Sequence, residues 1–166
     1  MIVVAITGVL AAIALPSFQG YVMRGRAGEA VTFLGSVILR QEAYRAEFGG
    51  YAGLEATMDA ATWVPETGAD MTDGLQVPWP GSADFDAMGA RPDAALVRFG
   101  YAMCAGTPVQ GNGYIDAAPY NVPAAQLDFY YIAQAQADFD GDGEIMTFEV
   151  ASFARNMWLS NAEGWE

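Results

Sequence analysis

The sequence predicts an α+β fold in which one long N-terminal α-helix packs on an antiparallel β-sheet. Residues 1–48 have the pattern of one helix, which is apolar all around in its first half and apolar on one face in its second half. Gly49 and Gly50 end this pattern. Residues 95–166 contain short β-branched and aromatic runs separated by turn residues. The chain therefore divides into an apolar helix half (1–24), an amphipathic helix half (25–48), a connecting region (49–94) and a sheet region (95–166). The apolar helix half is the anchor, and the other three segments form one domain.

The first helix half is apolar on all sides. No charged residue occurs before Arg24, and a helix over residues 1–23 would be roughly 35 Å long. A bilayer core is about 30 Å thick, so the run is long enough to cross it. The alternative is a secretory signal peptide, which would carry basic residues ahead of a shorter apolar core. Such a helix half needs lipid or other subunits around it.

The second helix half is amphipathic. Its apolar residues recur at spacings of three and four, which indicates one buried helix face, while Arg26, Glu29, Arg40 and Arg45 fall on the opposite face. A continuous helix from the first residues to Phe48 would be roughly 70 Å long. The apolar positions that we expect on the buried face are Ala27, Ala30, Val31, Leu34, Val37, Ile38, Tyr44 and Phe48.

Two residues should weaken the first helix half. Pro16 cannot donate a hydrogen bond to the carbonyl of Ala12, and its ring crowds that turn, at a cost of about 3 kcal/mol in an ordinary helix. Gly8 is the second weak point. The sequence leaves two interpretations open, a kinked membrane helix or a segment from Gly8 to Pro16 that unwinds on packing.

The connecting region shows no strong periodicity. It is rich in Gly, Pro, Asp and Ala, and we expect one short helix near residues 54–61. Trp63 and Trp79 are expected to fix this region onto the core rather than to bind a ligand. Beyond it, the predicted strands cover residues 96–103, 127–135, 145–153 and 156–160.

One acidic segment carries a metal-binding pattern. Residues 138–149 fit the calcium-loop spacing D-x-D-x-D-G-x-I-x3-E at every defined position. Ca²⁺ prefers six to eight oxygen ligands at about 2.3–2.6 Å, and carboxylates at alternate positions can supply them. The candidate ligands are Asp138, Asp140, Asp142, Glu144 through its backbone carbonyl, and Glu149.

Two alternatives to this calcium site stay open. An Asp/Gly hairpin turn in solvent would have a similar composition. An EF-hand needs a helix on each side of the loop, whereas the segment before Asp138 has the pattern of a strand. If residues from Ile145 onward also form a strand, Glu149 points away from the loop and is the weakest of the candidate ligands. We expect a structural Ca²⁺ that clamps the last hairpin.

The composition excludes several classes of function. The net charge is -13, from 20 acidic and 7 basic residues, so the overall electrostatic field of the chain does not favour binding to nucleic acid. The chain contains no histidine, nucleophile motif or phosphate-binding glycine loop, and we therefore expect no enzyme. The one cysteine, Cys104, cannot form a disulfide within the chain and is expected to be buried.

The segment MIVVAITGVLAAIALPSFQGYVMRGRAGEA resembles the N-terminal helix of type IV pilins and their pseudopilin relatives. The resemblance covers roughly residues 1–30 and includes the block from Leu10 to Pro16, Phe18, Tyr21 and the basic pair Arg24 and Arg26. It implies the same α+β fold, a C-terminal region that many relatives close with a disulfide, and an acidic assembly residue two positions before Met1. The assembly positions that it implies are Ile2, Val3, Ile6, Gly8, Leu10, Ile13 and Pro16.

The resemblance implies a structural subunit that polymerises into an extracellular pilus filament for adhesion, surface motility or uptake. Its partners would be other copies of the chain, inner-membrane lipid before assembly and the pilus assembly machinery. Two alternatives remain, a pseudopilin of a type II secretion machine and a membrane-anchored calcium-binding module that does not polymerise.

Overall fold

The fold consists of one long helix, a connecting region and a meandering sheet. The computed structural model describes residues 2–53, 58, 62–107, 128–154 and 156–160, and the side chains of residues 15, 16, 17 and 19 are not among those described. The elements are α1 (Ile2–Phe48), β1 (Val77–Pro78), α2 (Ala83–Ala87), β2 (Leu96–Val97), β3 (Gly100–Gly106), β4 (Tyr130–Ala137), β5 (Met146–Ala151) and β6 (Trp158–Leu159). The coarse α+β class that the sequence predicts is confirmed.

Helix α1 is continuous over 47 residues, as its residue pattern predicts. The weak point expected at Pro16 does not break the helix in the single chain, since the helix runs through this position. One proline removes one hydrogen bond, and the bonds of the neighbouring turns keep the helix intact. The helix ends at Gly49, whose backbone N–H donates to the carbonyl of Arg45 at 2.8 Å. Gly49 has a φ of +79°, a conformation that glycine adopts without a steric penalty.

From the sequence, we expect the first half of α1 to be long and apolar enough to cross a membrane. Among the residues that the structure describes, no helix contains a stretch that is both long and apolar enough to cross a membrane.

The main sheet is antiparallel, with the strand order β3-β4-β5-β6. Gly100 pairs with Gln136 and Gly106 with Tyr130, while Ala137 pairs with Met146 across the next hairpin. The four predicted strands lie in the expected places, although the first of them is divided into β2 and β3 at Arg98 and Phe99. Strand β2 instead pairs with β1 from the connecting region.

The core lies between the second half of α1 and one face of the sheet. Helix residues Ala30, Leu34 and Val37 are fully buried there, as the spacing predicts. The same prediction is wrong for Val31 and Phe48, which are 46% and 63% exposed. The helix buries Phe33 and Gln41 instead, so the buried face is rotated from the one that the spacing indicates.

The connecting region is fixed to the core by aromatic contacts. The ring of Phe33 packs at centroid distances of 4.7–5.7 Å against Tyr101, Phe85 and Trp79. Trp79 therefore holds this region on the core, as expected, and α2 contributes Phe85 to the same cluster. The short helix expected near residues 54–61 falls almost entirely outside the described residues, which include only Met58 from that range.

Candidate functional site

The first candidate site is the apolar half of α1. Every residue from Ile2 to Ala14 is exposed, because the sheet packs on the helix only farther along the chain. Among the implied assembly positions, Ile2, Val3, Ile6, Leu10 and Ile13 are 55–77% exposed. A Cβ atom on Gly8 would meet nothing within 4 Å. The side chain of Pro16 lies outside the described part of the chain.

The second candidate site is the loop between β4 and β5. Asp138, Asp140 and Asp142 each place one carboxylate oxygen within 4.8 Å of the others. The spacing therefore brings together three of the predicted ligands. Carboxylate oxygens are the ligands that Ca²⁺ and Mg²⁺ prefer, so the chemistry of this set fits a hard divalent cation.

The loop conformation is set by hydrogen bonds to these same carboxylates. The buried carboxylate of Asp138 accepts from the backbone N–H groups of Gly141 at 2.8 Å and Gly143 at 3.0 Å. Asp142 accepts from the N–H of Glu144 at 2.7 Å. Gly141 and Gly143 have φ values of +72° and +89°, which explains the glycines at these positions.

The carboxyl group of Asp140 holds its proton more readily than an ordinary aspartate, since its pKa is raised. Partial desolvation raises the pKa of the Asp140 carboxyl above its ordinary value. The negative charge of Asp142 and a hydrogen bond with Asp138 raise this pKa further, whereas the hydrogen bond from the Asp142 N–H acts in the opposite direction. A divalent cation would relieve the repulsion within the loop.

Glu149 does not join the three aspartates. It lies within β5, where its buried carboxylate accepts a hydrogen bond from the side-chain amide of Gln134 at 2.7 Å. Strand β5 begins at Met146, so the helix that would bring the twelfth loop residue back to a cation is replaced by a strand. The side chain of Glu144 is exposed and is not part of the cluster either.

The structure adds a neighbouring segment that the sequence did not associate with this loop. The N–H of Asp73 donates to the carbonyl of Asp138 at 3.1 Å, and the N–H of Asp138 donates to the carbonyl of Met71 at 3.0 Å. A Cβ atom on Gly141 would lie 3.5 Å from a carboxylate oxygen of Asp73. The Asp73-Gly74 dipeptide signals a turn, but nothing in the sequence indicates that this turn meets a loop so far along the chain.

Helix α1 also reaches the loop. The guanidinium of Arg26 lies 5.9 Å from the centre of the Phe139 ring, a distance suited to a cation–π contact. The same guanidinium occupies the space beside Gly74, where a Cβ atom would collide with it. The loop, the turn at Asp73 and the helix therefore form one connected region.

Comparison with known proteins gives no relative for this chain. No family profile, no curated protein and no solved structure matches it.

Proposed function

We propose that this protein is a structural subunit that polymerises into a filament of the type IV pilus kind through the apolar half of α1. One observation carries the proposal, namely that the residues from Ile2 to Ala14 are all exposed in the single chain. Water is a poor solvent for such a surface, and moving one Val, Leu or Ile side chain out of water contributes about 2 kcal/mol, whereas transfer from lipid into a helix bundle contributes less. A bundle of such helix halves from many copies would remove this surface from water.

The proposal assigns different environments to the two halves of α1. The second half is covered on one face by its own sheet, through residues such as Leu34 and Val37. The first half would be covered by neighbouring copies after assembly and by inner-membrane lipid before it, with assembly carried out by the pilus machinery. The sheet domain would then face outward on an extracellular filament, in a structural role without catalysis.

The proposal also includes a structural Ca²⁺ at Asp138, Asp140 and Asp142. These residues join β4 to β5, and Asp138 also contacts the turn at Asp73 through backbone hydrogen bonds. A cation here would hold the hairpin and the connecting region together. The chain has one cysteine, Cys104, and so cannot form a disulfide within itself. The cation would supply a cross-link of that kind.

Replacement of Leu10 by Asp tests the filament proposal. Leu10 is 62% exposed, so the change should leave the sheet domain folded while placing a charge in the bundled helices. We expect electron microscopy to show no filaments and circular dichroism to show an unchanged fold. Leu75→Asp is the matched control, since Leu75 is 64% exposed but lies in the connecting region. Normal filaments from Leu10→Asp would refute the proposal.

Electron microscopy of sheared cells separates the proposed pilin from the two alternatives. A pilin should give long surface filaments at natural expression levels. A type II secretion pseudopilin should give short filaments only on overexpression. A membrane-anchored calcium-binding module should give none at any level.

A further inference from the structure

Three exposed side chains, Phe18, Tyr21 and Arg24, form a stripe where the apolar half of α1 ends. Phe18 and Tyr21 are 64% and 76% exposed, and Arg24 is exposed as well. Each member of this boundary stripe is three residues from the next, so neighbouring members lie side by side on the helix surface. No charged residue occurs before Arg24 in the chain. The boundary stripe therefore places two aromatic rings and a cation where an apolar surface gives way to a polar one.

The positive charge of Arg24 is not offset within its own segment. Residues 1–28 contain Arg24 and Arg26 but no acidic residue, so this segment has a charge of +2 in a chain whose net charge is -13. Arg24 forms no ion pair with any residue that the structure describes. The aspartate loop lies on the side of Arg26, which contacts Phe139 and Gly74 and is about 200° around the helix from Arg24. Arg24 therefore lies on the side of α1 that is turned away from this loop.

The surroundings of the boundary stripe indicate that its partner is a bilayer surface. The stripe follows directly on the exposed apolar residues from Ile2 to Ala14, which would lie in lipid before assembly. Amphipathic aromatic rings and basic side chains are typical of the level where the hydrocarbon core meets the headgroups. A guanidinium can bind a phosphate there through two parallel hydrogen bonds. The first acidic residue along the chain, Glu29, is already paired with Arg98 at 3.3 Å.

We propose that Arg24 binds the phosphate group of an anionic phospholipid, with Phe18 and Tyr21 at the same level of the bilayer. The inference rests on the membrane stage of the proposed function. The chain beyond residue 28 is strongly acidic and is repelled by an anionic surface, so Arg24 supplies attraction at the point where the helix leaves the lipid. One basic side chain near such a surface strengthens membrane binding by about fivefold.

Flotation of the full chain with lipid vesicles, after dilution from detergent, provides the test. At physiological salt, Arg24→Gln should lower the partition coefficient for phosphatidylglycerol vesicles by about fivefold. It should not change partition into vesicles of an uncharged galactolipid, which has no phosphate. Arg24→Lys should restore part of the loss, since a lysine binds phosphate as a point charge. Near 1 M salt, where charges are screened beyond about 3 Å, the wild type and Arg24→Gln should bind equally.

Arg40→Gln is the matched control. It removes the same charge from an exposed position of the same helix, about 24 Å farther from the apolar half. This distance exceeds the screening length of about 8 Å at physiological salt. Binding of Arg40→Gln to phosphatidylglycerol vesicles should therefore stay close to that of the wild type.

Three outcomes would overturn the inference while normal wild-type filaments left the proposed function intact. Equal losses for Arg24→Gln and Arg40→Gln on phosphatidylglycerol would show that only the net charge of the chain matters. An equal loss for Arg24→Gln on both kinds of vesicle would show that the phosphate is not recognised. Unchanged vesicle binding of Arg24→Gln would remove the lipid contact, and a loss of filaments in the same variant would assign Arg24 to a contact between copies. Failure of the wild type to bind either kind of vesicle would instead contradict the membrane stage itself.

Discussion

The side-chain amide of Gln134 donates a hydrogen bond of 2.7 Å to the carboxylate of Glu149 across β4 and β5. Both residues are buried, and the side-chain amide of Gln136 donates to the side-chain oxygen of Gln134 at 3.2 Å. This arrangement holds the Glu149 carboxylate within the sheet. The twelfth position of the calcium pattern thus has a structural role here, although its residue type fits the pattern.

The placement of Glu149 predicts a difference between two isosteric changes. Asp140→Asn removes a charge from the aspartate cluster and should weaken Ca²⁺ binding by about tenfold or more, because ligand charge sets the affinity of such sites. Glu149→Gln should change the affinity by less than about twofold, since this residue lies outside the cluster. Isothermal titration calorimetry with Ca²⁺ measures both. A large loss of affinity in Glu149→Gln would show that the cation draws Glu149 out of the sheet.

Ca²⁺ should also stabilise the wild-type subunit. A ligand at about 100 times its Kd adds about 2.7 kcal/mol to the free energy of unfolding, which corresponds to a rise in Tm of roughly 5–10 °C for a domain of this size. The expected result is a higher Tm in Ca²⁺ than in EDTA for the wild type and no such difference for Asp140→Asn. Equal melting temperatures of the wild type in the two conditions would contradict a structural cation.

The strands and the aspartate cluster could be predicted because their signals are local. Alternating β-branched and aromatic residues predicted all four strand positions, and the spacing of Asp138, Asp140 and Asp142 alone placed their carboxylates together. The orientation of α1 could not be predicted in this way. Phe33 is buried because aromatic residues from the connecting region surround it, and those partners are distant in sequence.

The polar face of the helix shows the same dependence on distant partners. Glu29 and Arg45 were expected on a solvated face, but they pair with Arg98 at 3.3 Å and Asp128 at 3.0 Å. Helix periodicity separates polar from apolar residues. It gives no information about which polar residues meet a charged partner from a loop.

A matched pair of leucines tests the observed orientation of α1. Leu34 is fully buried and Leu39 is 73% exposed, although both are leucines of the same helix. Leu34→Ala should lower the free energy of unfolding by about 2–5 kcal/mol, and Leu39→Ala should change it by no more than about 0.5 kcal/mol. Urea denaturation followed by tryptophan fluorescence measures both values. Similar losses in the two variants would mean that the helix packs on its sheet through a different face.

Gln41 tests what holds the segment after α1, at Ala52, against the helix. Its side chain is fully buried, and its amide donates to the carbonyl of Ala52 at 2.7 Å while its oxygen accepts from the N–H of Ala52 at 2.9 Å. Gln41→Leu would leave both backbone groups of Ala52 without these partners, at a cost of about 1–3 kcal/mol for each buried group. We expect a lower free energy of unfolding and faster hydrogen exchange at the Ala52 amide, with Glu47→Ala on the exposed side of the helix as the control. Unchanged exchange at Ala52 would show that Gln41 does not hold this segment on the helix.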